Sequence, residues 1–293
     1  MTLWFSSRPK LMRSSPSSDP AEPLNVLFVH GWACGWQDWS GVSPLLPDSA
    51  HIGLAKLPGC PDAVPLGGAI SLSDCAAHVI AQANDLGFDR FALVGHSMGA
   101  RIAIELAATW PGRVSHLLLL DGSNVPEDPE EAVARLAEQL AQLGQKGWAE
   151  AAVGGMMVNN LDPDQKRDIV NRAAQYPADV LKAYYHAMAA WDRDKFVPAI
   201  DRLTCPVTIL QSTSLDEHEV RRSATTHPAS LWLDALRARV PGAVIKLVPN
   251  TGHFIMYERP QLIADWVEET LQVNHGVHHE KPNQITREYQ GRN

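Results

Sequence analysis

Cysteine is scarce in this chain. Cys34, Cys60, Cys75 and Cys205 are scattered over 293 residues, and no two form a Cys-x-x-Cys pair. That spacing excludes a clustered metal site and a disulfide framework, and it points to a reducing compartment. Long apolar runs are also missing: none approaches the ~18 residues that span a bilayer. Residues 1–23 hold Trp4 and Phe5 but no continuous apolar core followed by a small-residue cleavage site, so no secretion signal is expected and the cytoplasm is the expected location. There is no excess of positive charge. With 25 Lys and Arg against 33 Asp and Glu, the net charge is -8, which argues against nucleic acid or an anionic membrane as partner and leaves a small molecule. No Gly-x-Gly-x-x-Gly or phosphate loop occurs, so no cofactor is expected. His275, His278, His279 and Glu280 lack a second cluster, so no metal is expected either.

What is present reads as a soluble globular chain, 45% hydrophobic and 20% charged, long enough for one large domain with an insertion. Residues 1–23, rich in serine and proline from Ser6, read as a flexible leader. The pattern then alternates. Leu24 to Val29 reads as a strand, Asp38 to Leu46 as a short helix, Ile52 to Leu57 as a strand, and Ser71 to Leu86 as a helix with Gly87 as its stop. Val114 to Leu120 is an almost unbroken apolar run, as a parallel strand buried on both faces requires. Between about Pro126 and Pro198 no strand-like run occurs, only alanine-rich amphipathic segments punctuated by Gly144, Gly154-Gly155 and Pro177. Alternation resumes with Pro206 to Gln211, Leu231 to Arg239, Ala243 to Val248 and a helix from Pro260 to Val273. This pattern predicts an α/β fold with a doubly wound, mostly parallel sheet, formed by residues 24–122 and 199–273. Residues 123–198 would form a helical cap, and 274–293 a flexible tail.

The sheet is organised around Gly95-His96-Ser97-Met98-Gly99, which follows the apolar run Arg90 to Val94 and precedes a helical stretch from Ala100 to Trp110. Between a strand and a helix this pentapeptide forms a sharp turn that lifts the serine hydroxyl above the sheet edge. Its glycines are needed where side chains would collide across the turn. A serine becomes a nucleophile only when a base takes its proton, and that base is usually a histidine oriented by a carboxylate. His253, in a glycine-preceded loop after the last strand, is the candidate base. Two candidates for the acid remain open, Asp121 after the Val114 to Leu120 strand and Asp216 after the strand ending at Gln211. Two N–H groups must meet the developing oxyanion; Met98, heading the helix, and Trp32, after the first strand, are expected to supply them. His30 and His96 are expected at the substrate pocket. Trp36, Trp39, Met156, Met157, Met188, Tyr184 and Tyr185 are expected to pack.

Taken in order, His30-Gly31-Trp32, Leu57-Pro58-Gly59, the Gly95 to Gly99 elbow, the helical insertion, and Gly252-His253-Phe254 followed by Glu258-Arg259-Pro260 resemble the α/β-hydrolase family from about Leu24 to Val273. The resemblance implies Ser97 as nucleophile, His253 as base, and Trp32 and Met98 as oxyanion donors. Two features depart from it. Cys60-Pro61-Asp62 stands where relatives usually carry His-Gly-x-Ser, and the strands that normally precede the first one are reduced to a stub near Leu3 to Phe5. The resulting expectation is a cofactor-independent serine hydrolase that cleaves an ester or lactone of a small apolar molecule through an acyl-enzyme. Relatives of this fold also hydrolyse carbon–carbon bonds or oxygenate rings without a cofactor. A ligand-binding receptor with a near-silent triad is the alternative outside enzymology.

Overall fold

The computed structural model describes residues 24–65, 67–124, 127–157, 161–215, 221–224 and 230–274. Its frame is a parallel sheet of β1 (Leu24–Val29), β2 (Ala50–Leu54), β3 (Phe91–His96), β4 (Val114–Leu120), β5 (Val207–Gln211) and β8 (Val244–Leu247), in the order β2-β1-β3-β4-β5-β8. The leader, the stub at Leu3 to Phe5, Asp216 and the histidines from His275 onward lie outside the described residues.

Burial follows the expected gradient. Every residue of the central strand β3 is buried, and Leu117 to Leu120 of its neighbour β4 are at 0% exposure. The edge strand β8 alternates between exposed and half-buried positions instead. Parallel strands covered on both faces carry apolar side chains at consecutive positions, so the central strands stand out in the sequence more clearly than the edges. Helices α1 (Leu72–Asp85), α2 (Met98–Thr109), α7 (Leu231–Arg239) and α9 (Pro260–Asn274) complete the frame. α1 illustrates local encoding. Ser71 Oγ accepts the Asp74 N–H, the Asp74 carboxylate accepts the Ser71 N–H, and Leu72, Cys75, Ala76, Val79, Ile80 and Ala83 form one buried stripe.

Between β4 and β5 lie α3 (Pro129–Trp148), a π-helical turn (Ala149–Val153), α4 (Pro163–Ala173), α5 (Ala178–Asp194) and α6 (Phe196–Ile200). Gly144, at φ 67°, kinks α3. These helices bind the loops at the C-terminal strand ends. Trp32 Nε1 donates to the Leu181 carbonyl at 3.1 Å, Tyr184 Oη to Pro58 at 2.6 Å, and the His253 N–H to Met156 at 3.1 Å.

Three stretches depart from the sequence reading. Asp38 to Leu46 is not one helix but two 3-10 turns, Trp36–Trp39 and Ser43–Leu45, because Gly41 and Pro44 interrupt any longer ladder. After β5 the chain forms an unanticipated antiparallel pair, β6 (Thr213–Leu215) with β7 (Arg221–Ser223), whose three-residue strands carry too little alternation to be read. A short helix, α8 (Ile255–Glu258), follows His253. Among the described residues no helix is long and apolar enough to cross a membrane.

Candidate active site

Ser97 occupies the turn between β3 and α2 with φ 55° and ψ -115°, a left-handed conformation that a side chain tolerates only where its surroundings impose it. The surroundings do so. A Cβ on Gly95 would run into the Gly99 carbonyl, and one on Gly99 into the Val29 and His30 carbonyls. The first glycine therefore closes the turn on itself, while the second lets α2 seat against the end of β1. The Ser97 N–H donates to the Leu120 carbonyl at 3.0 Å, tying the elbow to β4.

Asp121 comes one residue beyond β4, also in left-handed backbone at φ 45°. Gly122 permits that turn, since a Cβ there would strike the Trp232 indole. The Asp121 carboxylate is at 0% exposure and collects six donors. Oδ1 accepts from Gln211 Nε2 at 3.0 Å and from the Ser212 and Thr213 N–H groups at 2.9 and 2.7 Å. Oδ2 accepts from Thr213 Oγ1 at 2.5 Å, Arg221 Nη1 at 3.2 Å and His253 Nδ1 at 2.6 Å. Burial alone would raise this carboxyl. The His253 hydrogen bond and charge, Arg221 and the Thr213 hydroxyl together hold it well below the usual carboxylate range.

Because a carboxylate accepts, His253 Nδ1 carries the proton and Nε2 is left with a lone pair. Burial lowers this ring to about 4, with Arg221 next and Arg101 adding to it, against the opposing pull of Asp121. The loop that presents the ring is pinned by Ser212 Oγ, which donates to the Gly252 carbonyl at 2.7 Å. Ser97 and His253 line the same cavity of about 390 Å³. Among the described residues no hydrogen bond joins the Ser97 hydroxyl to the His253 ring; such catalytic bonds often tighten only when substrate arrives.

The remaining sequence-predicted residues fall in two groups. Trp32 lines the cavity, its ring 4.9 Å from Tyr185 and 5.2 Å from Trp148, and Met98 opens α2, where a helix leaves its N–H groups unpaired. His30 and His96, expected at the pocket, are not among its lining residues. Both are buried and engaged elsewhere. His30 Nδ1 donates to the Gly31 carbonyl at 2.9 Å, with Cys60 Sγ 3.8 Å from Nε2. His96 Nε2 donates to the His253 carbonyl at 2.9 Å, and its ring is lowered to about 3 by burial and then by His253. His96 thus supports the His253 loop from beneath. Asp216 lies outside the described residues. Of the residues expected only to pack, Met156, Met188 and Tyr185 line the cavity, while Trp39 and Tyr184 are buried in the core. The described residues hold no cluster of metal-ligating side chains.

A family model described as "Alpha/beta hydrolase family" matches residues 26–266. The chain belongs to the alpha/beta hydrolase family. Among curated proteins this alpha/beta hydrolase is 24% identical over 262 residues to a soluble epoxide hydrolase of Corynebacterium sp. (strain C12), covering 82% of the chain and 87% of that protein. It is 28% identical over 207 residues to a 2-succinyl-6-hydroxy-2,4-cyclohexadiene-1-carboxylate synthase of Yersinia pestis, covering 67% of the chain and 74% of the synthase. Among solved structures, a thermophilic esterase from Thermogutta terrifontis superposes with a TM-score of 0.71 at 23% identity, over 86% of this chain and 90% of the esterase.

Several residues of the candidate site were not read from the sequence. Gln211, Ser212 and Thr213 supply four of the six donors on Asp121, but as a polar run after a strand they resemble any loop. Arg101, one turn into α2, reaches the cavity while paired with Asp192 at 2.8 Å. The advance signal for that pair is a charge, one of two with Glu105, inside a largely apolar helix.

Proposed function

We propose that this alpha/beta hydrolase is a serine hydrolase acting on a carboxylic ester or lactone through an acyl-enzyme. The observation that carries this reading is the 2.6 Å pairing of His253 Nδ1 with buried Asp121, on a ring that shares its cavity with Ser97 at a strained elbow. His253 Nε2 takes the Ser97 proton as Oγ attacks the substrate carbonyl, which requires the two atoms to close to hydrogen-bond distance. Asp121 holds the tautomer and stabilises the imidazolium. The N–H groups of Met98 and Trp32 receive the oxyanion. The same imidazole returns the proton to the leaving group and then activates water to cleave the acyl-enzyme.

Helices α3 to α5 serve as the cap. Trp32, Leu136, Trp148, Met156 and Met188 offer apolar lining for the acyl part, and Ser123, Asn124 and Gln139 add polar groups to the same cavity. The substrate is therefore a small ester with an apolar acyl group and a polar leaving group.

The test pairs covalent labelling with turnover. A fluorophosphonate should form one adduct, on Ser97, and Ser97→Ala should lower p-nitrophenyl butyrate turnover by roughly 10⁴-fold or more with the circular dichroism spectrum unchanged. Near-parental turnover in purified Ser97→Ala overturns the assignment.

A further inference from the structure

We propose that Arg221 is a positioning residue of this site: its guanidinium clamps Asp121 on the very oxygen that receives His253, so that one carboxylate is shared between an arginine and the imidazole. The proposal rests on the reading of Asp121 and His253 as acid and base.

The clamp has three anchors. Arg221 Nη1 lies 3.2 Å from Asp121 Oδ2 and 2.9 Å from Thr213 Oγ1, and Nη2 lies 3.3 Å from Ser123 Oγ. Because Thr213 Oγ1 spends its single proton on Asp121 at 2.5 Å, it accepts from Arg221, and the cation reaches the carboxylate both directly and through the hydroxyl. The arginine side chain is 12% exposed, so little water screens it. Its strand is also held from the far side: Ser223 Oγ accepts the Thr251 N–H at 3.0 Å, and the Ala224 N–H donates to Ser212 at 2.7 Å. The β6–β7 pair therefore joins the acid's loop to the histidine's loop, with Arg221 as the part that touches the acid.

A cation at this place has a chemical consequence. An imidazolium on His253 finds its counter-charge already partly neutralised and a guanidinium nearby, so protonation of the base is disfavoured. Among the described residues, the other charged or titratable groups facing the pair are Arg101 from α2, His96 from β3 and Glu258 from α8. Arg101 is neutralised by Asp192, His96 is held neutral, and Glu258 is the only negative group among them, with its carboxylate on the Gly252 N–H at 2.8 Å. Arg221 is the cation in direct contact with Asp121. The expected result is a base that stays neutral, and a site that stays active, well into mildly acidic solution.

The experiment uses the full chain with labelled histidine. The His253 ring, assigned through His253→Ala, is titrated by NMR in the parent, in Arg221→Gln and in Arg221→Lys. In parallel, kcat and KM for p-nitrophenyl butyrate are followed against pH. In the parent the midpoint should lie well below 6.5. In Arg221→Gln it should rise by about one unit, and the acid limb of the kcat profile should move up the pH scale by the same interval, while KM changes less than about twofold. Arg221→Lys should restore most of the shift. A parent midpoint at or above 6.5 overturns the proposal without any variant having to fold. So does an Arg221→Gln midpoint equal to the parent's with kcat lowered equally at every pH, the result a mere brace would give. If the midpoint moves as stated but Ser97 takes no fluorophosphonate, the clamp stands and the hydrolase reading falls.

Discussion

Among the described residues two carboxylates, Asp38 and Asp121, are at 0% exposure, and each faces an arginine. Around Asp38, Arg172 from α4 and Tyr257 Oη, the latter at 2.8 Å, donate to Oδ1, while the Gly35 N–H donates to Oδ2 at 3.1 Å. Around Asp121 the donors include Arg221 and four groups from the Gln211-Ser212-Thr213 run. Burial and ion pairing are common to both. What separates them is that Asp38 sits in a 3-10 turn outside the cavity lining, whereas Asp121 is in left-handed backbone and holds an imidazole that does line it. A buried acid–arginine pair is thus no mark of chemistry by itself; the titratable ring beside a hydroxyl makes the difference.

The most direct way to break the comparison is to remove each charge. Asp38→Asn and Asp121→Asn should each lose about 3–5 kcal/mol of stability in urea unfolding, since both leave a buried guanidinium without its counter-ion. Only Asp121→Asn should also lose roughly 10⁴-fold in kcat, because the imidazole then lacks the partner that sets its tautomer. Equal losses of kcat per folded molecule would erase the distinction.

Acid unfolding sharpens it further. His253 and His96 are lowered to about 4 and about 3 in the folded chain, against 6.5 in the unfolded one. Between pH 6.5 and about 4 the unfolded chain therefore binds more protons, and stability falls as pH falls, by at most about 1.4 kcal/mol per pH unit for each ring. His96→Gln should remove one ring's share of that slope. Asp38 variants should leave it intact, as unfolding free energies at pH 7, 5.5 and 4.5 would reveal.

The smallest effects concern single hydroxyls. Thr213→Val and Tyr257→Phe each delete one hydrogen bond to a buried carboxylate and should cost about 1 kcal/mol apiece. Thr213→Val alone should also lower kcat a few-fold.

Much of this molecule was legible before its structure. β4 spans Val114–Leu120 and α7 spans Leu231–Arg239, as their residues imply, because an almost unbroken apolar run and an amphipathic stretch are strong local signals. Gly-x-Ser-x-Gly and a glycine-preceded loop histidine announce their backbone needs, so the turn at Ser97 and the loop at His253 were legible as local structure, and both residues line one cavity. Asp121 and Asp216 could not be ranked, since an aspartate after a strand also suits any turn; the contact of Asp121 with His253 joins residues 132 positions apart. Asp38 was illegible for the same reason, as Arg172 and Tyr257 come from elements distant in the chain. The misplacement of His30 and His96 has a different cause. Proximity to a strand end says where a residue is, but not that its ring will turn inward to a carbonyl.

The backbone N–H of His253 is spent on the carbonyl of Met156, whose side chain walls the cavity. A wall of the cavity and the ring proposed as its base are consequently fastened to each other. Remodelling the Met156 turn to admit a bulkier guest would tug on the imidazole as well, so taste and speed cannot be adjusted separately at that point of the chain.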